Sequence, residues 1–181
     1  NYKKSDKLKI IYTGSVNKWK GVHLIIEAAK ELLSKNIPFE INLIGSVSKE
    51  IEIPKDLIKD EILIFHGHVP QDELKLHLIN ADMYVFPSYC EGAAQSLKEA
   101  MAIGLPVIAT EQSGVPITHA ENGWVIMDNS SKAIIDAVIL LNSNEELRKS
   151  LGQNASKIIS NDHTWENYGK NVAKLYKDLL Q

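Results

Sequence analysis

MYVFPSYCEGAAQSLKEAMAIGLPVIAT, Met83 to Thr110, holds the reading on which the fold turns. Met83 to Phe86 is an unbroken apolar run that Pro87-Ser88 ends, and it reads as a strand. Gln95 to Ile103 reads as a helix, with Gly104 at its C-terminal stop. Pro106 to Thr110 is a second short apolar run and reads as another strand. Strand, loop, helix and strand follow one another in fewer than thirty residues, which is the pattern of a parallel crossover unit.

The same alternation extends in both directions. Leu8 to Thr13, Phe39 to Ile44 and Ile62 to Phe65 read as strands before this unit, and Trp124 to Met127 as one after it. Val22 to Ser34 is helical, with Leu24, Ile25, Ala28, Ala29, Leu32 and Leu33 on one side. Pro70 to Asn80 is a short helix with acidic residues in its first turn. Ser130 to Leu141, Asn144 to Ser160 and Thr164 to Leu180 read as three closing helices, in which Trp165, Tyr168 and Tyr176, with Trp124, are expected to pack. The expected fold is a doubly wound α/β domain with a parallel sheet between two helix layers. Such sheets bind ligands beyond the carboxyl ends of the strands, near the switch in strand order. Attention therefore falls on Gly14 to Gly21, Gly45, His66 to Val69, Ser88 to Ser96 and Thr110 to Val115.

Composition narrows the functional classes. The 181 residues are 44% hydrophobic and 24% charged, which suits an ordinary globular domain. A net charge of -3 offers no broad basic footprint, so no nucleic-acid partner is expected. Arg148 is the only arginine, so side-chain charge for a phosphate must come from lysine. Cys90 has no second cysteine to pair with, which fits a reducing compartment. The polar opening, Asn1 to Lys7, reads as a linker from a larger protein.

TGSVNKWKG, Thr13 to Gly21, joins the first strand to the first helix. Gly14 allows a sharp turn beside a ligand, and the helix N-terminus behind it favours anions. Lys18 and Lys20 add positive charge, with Lys18 the more typical surface residue. The segment lacks the spacing of dinucleotide-binding and Walker A loops, which disfavours a nicotinamide dehydrogenase. In the central stretch, Glu91 lies in a loop, followed by small residues that leave amides bare near a helix entrance, and Glu99 lies about one turn inside. A carboxylate there can accept two hydrogen bonds from a ribose diol. Bare amides flanked by two carboxylates suit a nucleotide sugar better than a bare phosphate. His66 and His68 have a spacing compatible with metal ligation, but nothing completes a site, so a structural role is expected. Cys90 is expected to be an inert thiol.

Several of these motifs together resemble the retaining GT-B glycosyltransferases, especially family 4 (glycosyl transferases group 1). Glu91 and Glu99 match its Glu-x7-Glu pair; PSYCEG and KEAMAIGLPVIAT match the text around it. HGHVPQDELKLHLINADMYVFPS, TGSVNKWKG and ENGWVI match further family segments in the same order. The resemblance implies one half of a GT-B fold, a Rossmann-like doubly wound parallel sheet with C-terminal helices. Residues 1–181 would be the C-terminal, nucleotide-sugar-binding domain, with the N-terminal acceptor domain missing.

It implies that Gly14 and Lys20 hold the donor diphosphate, with Ser15 standing where the family usually has arginine. Backbone around His68 and Val69 would border the base, and Glu99 would bind the ribose. Glu91 would be the catalytic carboxylate against the donor sugar, and amides of Ala93, Ala94 and Gln95 would approach sugar and phosphate. Ala93-Ala94 replaces the usual Phe-Gly, and Ile117 stands where a glutamate is common. No cofactor or metal is expected. The implied partners are a nucleoside diphosphate sugar, the missing domain and a glycan or lipid-linked acceptor. The implied location is the cytoplasm, with any hold on the cytoplasmic membrane made through the missing domain. Two other readings stand beside transfer: a nucleotide-sugar 2-epimerase of the same architecture, and a non-catalytic interaction module.

Overall fold

The computed structural model describes residues 7–180. The proposed linker, apart from Lys7, lies outside them. Six strands form one sheet: β1 Leu8–Thr13, β2 Phe39–Ile44, β3 Leu63–Gly67, β4 Met83–Phe86, β5 Val107–Thr110 and β6 Trp124–Ile126. Every pairing is parallel, in the order β3-β2-β1-β4-β5-β6. The expected doubly wound, Rossmann-like domain is the observed one.

Burial on both faces explains why the strands read as unbroken apolar runs rather than alternating ones. All four residues of β4 and all four of β5 are buried. Helices α1 Val22–Leu32, α2 Lys55–Lys59, α3 Gln71–Ile79, α4 Gln95–Ala102, α5 Ser131–Ser143, α6 Glu145–Asp162 and α7 Trp165–Leu179 complete the chain. In α1, Leu24, Ile25, Ala28, Ala29 and Leu32 are buried as expected, with Val22 and Ile26 beside them, but the helix ends at Leu32 and Leu33, expected on the same side, is exposed in a 3-10 turn. Helix α2 is new relative to the sequence reading. It spans five residues and buries only Leu57, too little for a periodic signal.

The sequence direction reverses between β1 and β4, which pair through Ile10–Met83 and Ile11–Tyr84. Both strands run into loops that lead to helices, so the exits of β1 and β4 lie side by side. Gly21, the N-cap of α1, has φ 70°. A side chain there would place its Cβ 2.0 Å from the Pro87 carbonyl oxygen at the exit of β4. Only glycine meets both conditions, a left-handed backbone and contact with a neighbouring carbonyl.

One expectation fails at the C-terminus. Trp165, Tyr168 and Tyr176 do not pack among the terminal helices; they are 83%, 62% and 65% exposed. No residue of α7 is buried. Its apolar residues recur at three- and four-residue intervals, which gives a helix, but no described part of the chain buries that stripe. Trp124, in contrast, packs against the core as expected. Among the described residues, no helix is long and apolar enough to cross a membrane.

Gly21→Ala and Gly67→Ala separate backbone strain from contact, since Gly67 also has positive φ but nothing within 4 Å of an added Cβ. Urea denaturation should show a loss of about 1–2 kcal/mol for Gly67→Ala and a clearly larger one for Gly21→Ala. Equal losses would mean that the Pro87 contact gives way freely.

Candidate functional site

The loops after β1 and β4 meet through a small set of polar contacts. The Trp19 carbonyl accepts the Tyr89 amide at 3.0 Å and the Ser88 hydroxyl at 3.3 Å. Lys20 Nζ donates to Glu91 Oε1, and Ser88 Oγ lies 2.9 Å from the same oxygen. Thr110 Oγ1 donates to the Ser88 carbonyl at 2.6 Å, which ties the exit of β5 to this loop. Lys20 is itself positioned by its amide, which donates to Asn17 Oδ1 at 2.9 Å. The Lys20 and Glu91 side chains are 29% and 13% exposed, so the pair is partly shielded yet reachable. Shielding makes such a pair stronger than a surface one and costs more in lost hydration.

Two helix N-termini open beside this pair. Neither Gly21 at α1 nor Ala94 at α4 supplies a side-chain cap. At α1 the Val22 and Leu24 amides are already taken by the Asn17 carbonyl at 3.3 Å and the Gly21 carbonyl at 3.0 Å, so the amides left to favour an anion lie mainly at the α4 entrance. The sequence expectation needs one correction here: the amide of Ala94 is taken by the Ser113 carbonyl at 3.1 Å. It is therefore not a free donor. The segment after β5 lies directly on the Glu91–Gly92 backbone. A Cβ on Gly114, whose φ is 66°, would come within 2.5 Å of the Gly92 carbonyl oxygen and 2.9 Å of that of Glu91.

Gly14 and Ser15 sit at the exit of β1. The Gly14 amide donates to the Ile44 carbonyl at 2.9 Å, and the Gly45 amide to the Gly67 carbonyl at 2.7 Å. These bonds stitch together the exits of β1, β2 and β3. Ser15 offers its carbonyl to the Tyr12 hydroxyl at 2.8 Å. Burial, then Tyr84 and Glu91, push the Tyr12 hydroxyl far above its ordinary value, so it stays a neutral donor. His68 is exposed and Val69 half-buried beyond the end of β3, two strands from β1.

Glu99 lines a hollow to which neither Lys20 nor Glu91 contributes. It is half-buried, and the hollow, of about 550 Å³, is formed by α4 and the α6–α7 corner, with Gln95, His163, Trp165 and Tyr168. Burial raises the pKa of its carboxyl. Its link to the β1 exit runs through Tyr84. That hydroxyl lies 2.9 Å from Thr13 Oγ1, 3.2 Å from the Thr13 carbonyl and 3.0 Å from Ser96 Oγ, one turn before Glu99. Its single proton serves one acceptor at a time, and a neighbouring hydroxyl can donate in return. Burial pushes Tyr84 up to about 12. The two carboxylates thus lie on either side of the β1–β4 seam, one beside a lysine and one beside a neutral phenol.

Ser88 and Thr110 lie in segments that the sequence singled out but had no role assigned there, and Tyr12 and Tyr84 were missed as site residues. Ser88 carried a legible signal: a serine three residues before a loop glutamate can reach it. The tyrosines carried none, because an apolar run does not reveal where a hydroxyl points. His66 has the structural role expected of it. Its Nε2 lies 2.7 Å from Asn42 Oδ1, and its ring lies 4.3 Å from that of His77, a partner not foreseen. Among the described residues, no cluster of three or more His, Cys, Asp or Glu could hold a metal. Cys90 is a free, exposed thiol.

These features define an α/β domain whose switch point joins two uncapped helix N-termini to a lysine–carboxylate pair. The sequence model of glycosyl transferases group 1 matches residues 1–158, and the chain belongs to that family. It is 27% identical to the capsular polysaccharide biosynthesis glycosyltransferase CapM of Staphylococcus aureus, over 98% of this chain and 48% of CapM. It is 30% identical to the uncharacterized glycosyltransferase MJ1069 of Methanocaldococcus jannaschii, over 97% of this chain and 46% of that protein. The chain thus spans about half the length of these relatives. Among solved structures, it resembles the C-terminal domain of the group 1 glycosyltransferase LpcC from Francisella tularensis, with TM-score 0.78, 28% identity and 87% of each chain covered. It shares its fold with Anabaena HepE, solved with UDP and glucose, at TM-score 0.77 and 19% identity over 96% of this chain and 49% of HepE.

Tyr84→Phe should cost about 1–3 kcal/mol in urea denaturation, because it strands the buried Thr13 hydroxyl and removes the partner of the half-buried Ser96 one; no loss would show that they find other partners. The His66 pair predicts an acid sensitivity. Burial and then His77 lower the pKa of His66, against the raising effects of Glu73 and Glu40. Its contribution to stability is present above the unfolded value of about 6.5 and is lost as pH falls through the lowered folded value. His66→Asn should flatten the change in urea midpoint between neutral and mildly acidic buffer; an unchanged profile would exclude this source.

Proposed function

We propose that this domain holds a nucleoside diphosphate sugar and presents it for retaining transfer to an acceptor hydroxyl in glycan or glycolipid synthesis, as in family 4. The observation that carries the reading is the Lys20–Glu91 pair at the mouth of two uncapped helix N-termini on the strand-order switch. In this reading, Gly14, Ser15 and Lys20 border the diphosphate, and the free amides at α4, Ala93 and Gln95 among them, face sugar and phosphate. Glu91 lies against the sugar, Glu99 takes the ribose, and backbone near His68 and Val69 borders the base. The UDP and UDP-glucose held by HepE support the ligand class.

In the step proposed, the bond from the anomeric carbon to the diphosphate oxygen breaks and its electron pair stays with the diphosphate. The acceptor oxygen bonds to that carbon on the same face, and its proton passes to the leaving phosphate. Lys20 and the helix amides stabilise the departing charge, an electrostatic task that needs no metal. Acceptor recognition falls to a second, N-terminal domain of the parent protein. The uncovered stripe of α7, with Trp165, Tyr168, Leu175, Tyr176 and Leu179, fits a helix that is covered there. The length of the relatives supports the same division.

Calorimetric titration with UDP, GDP, ADP and their sugars tests the reading and identifies the base. One of these nucleotides should bind, and failure of all of them would end it. Glu91→Gln offers a sharper check. It frees Lys20 and removes a negative charge, so the free diphosphate should bind several-fold more tightly. Weaker binding of the free diphosphate would mean that Glu91 does not compete for the lysine.

A further inference from the structure

The Ser113 side chain is fully buried, and its hydroxyl has no hydrogen-bond partner among the described residues. A buried hydroxyl without a partner costs about 1–3 kcal/mol, and such groups call for an explanation. Its position supplies one. The Ser113 carbonyl holds the N-cap amide of α4, and the adjacent Gly114 is seated on the backbone of Glu91 and Gly92. The hydroxyl therefore belongs to the residue that joins the α4 entrance to the Glu91 loop. Thr110, three residues earlier, shows how a hydroxyl here is satisfied when structure alone requires it, since it bonds the Ser88 carbonyl at 2.6 Å.

We propose that Ser113 is a donor-binding residue, its hydroxyl held in reserve for an oxygen of the nucleoside diphosphate sugar at the α4 entrance. The proposal rests on the donor reading above. The hydroxyl is closed from solvent in the empty domain, and a change between staggered positions about Cα–Cβ is the motion that presents it to a ligand. Bound donor then supplies the acceptor that the protein withholds. The fold bears the cost of the unpaired group in the empty state, and binding recovers it.

This arrangement makes stability and affinity move in opposite directions, which a merely structural serine cannot do. The test compares wild type and Ser113→Ala, each as the 181-residue chain, by urea denaturation. The same proteins are titrated calorimetrically with UDP, GDP, ADP, UDP-glucose, GDP-mannose and ADP-glucose. The variant should be at least as stable as wild type and bind the donor about tenfold more weakly. Equal weakening for a nucleotide and its sugar conjugate places the hydroxyl on a phosphate oxygen; weakening for the conjugate alone places it on the sugar. A stable variant with unchanged affinity overturns the proposal and leaves the donor reading standing. A destabilised variant assigns the hydroxyl to the empty fold and also overturns it. If wild type binds none of the six, the donor reading falls and Ser113 falls with it.

Discussion

The backbone of Gly21 rests against the carbonyl of Pro87, and the rest of the site depends on that contact because it fixes the distance between two loops far apart in sequence. Parallel strands β1 and β4 place the loops side by side, but a sheet alone leaves their height and angle free. Removing the side chain at Gly21 lets α1 begin directly on the exit of β4. Lys20 precedes that glycine and Ser88 follows that proline, so the two come within reach of the same Glu91 oxygen. The lysine–carboxylate pair is a consequence of close packing between backbones.

A second seam runs beneath the first. Tyr84 on β4 meets Thr13 on β1 and Ser96 on α4, so one buried hydroxyl ties strand to strand and both to the helix that carries Glu99. Networks of this kind fix geometry when every member is satisfied. The segment after β5 closes the loop from the other side through Gly114 and Thr110. Three strand exits thus converge on one short stretch, Pro87 to Gln95, which is why a single crossover unit could be read as the centre of the domain.

The strand pattern was legible because a sheet buried on both faces needs continuous apolar runs, and Met83–Phe86 and Val107–Thr110 supply them. Helix α4 was legible from Gly104 at its end. Helix α2 was not, since five residues with one buried leucine leave no period to detect. Among site residues, Lys20 and Glu91 were found by charge and position, and they are in contact. Ser113 lay in a segment singled out but had no role assigned, and Tyr84 was not found, because what matters at both is what the hydroxyl meets, or fails to meet, across the fold. The α7 aromatics were misread for a related reason. A helical period says that one face is apolar and does not say what covers it.

The two acidic residues of the central stretch, alike in sequence, differ in surroundings. Glu91 shares one oxygen between an ammonium and a hydroxyl. Glu99 has a pKa raised by burial, beside the neutral Tyr84 phenol and a hollow roomy enough for a ligand group. A carboxylate already paired to a cation resists an incoming anion less than a bare one does, whereas a half-buried carboxylate with no ion pair among the described residues is suited to hydroxyl donors. Environment therefore divides the pair into a member in contact with a lysine at the helix entrances and a member beside a buried phenol along α4. That division follows from where eight residues of loop and helix carry each side chain: one to the Lys20 side of the β1–β4 seam, the other to the α6–α7 side.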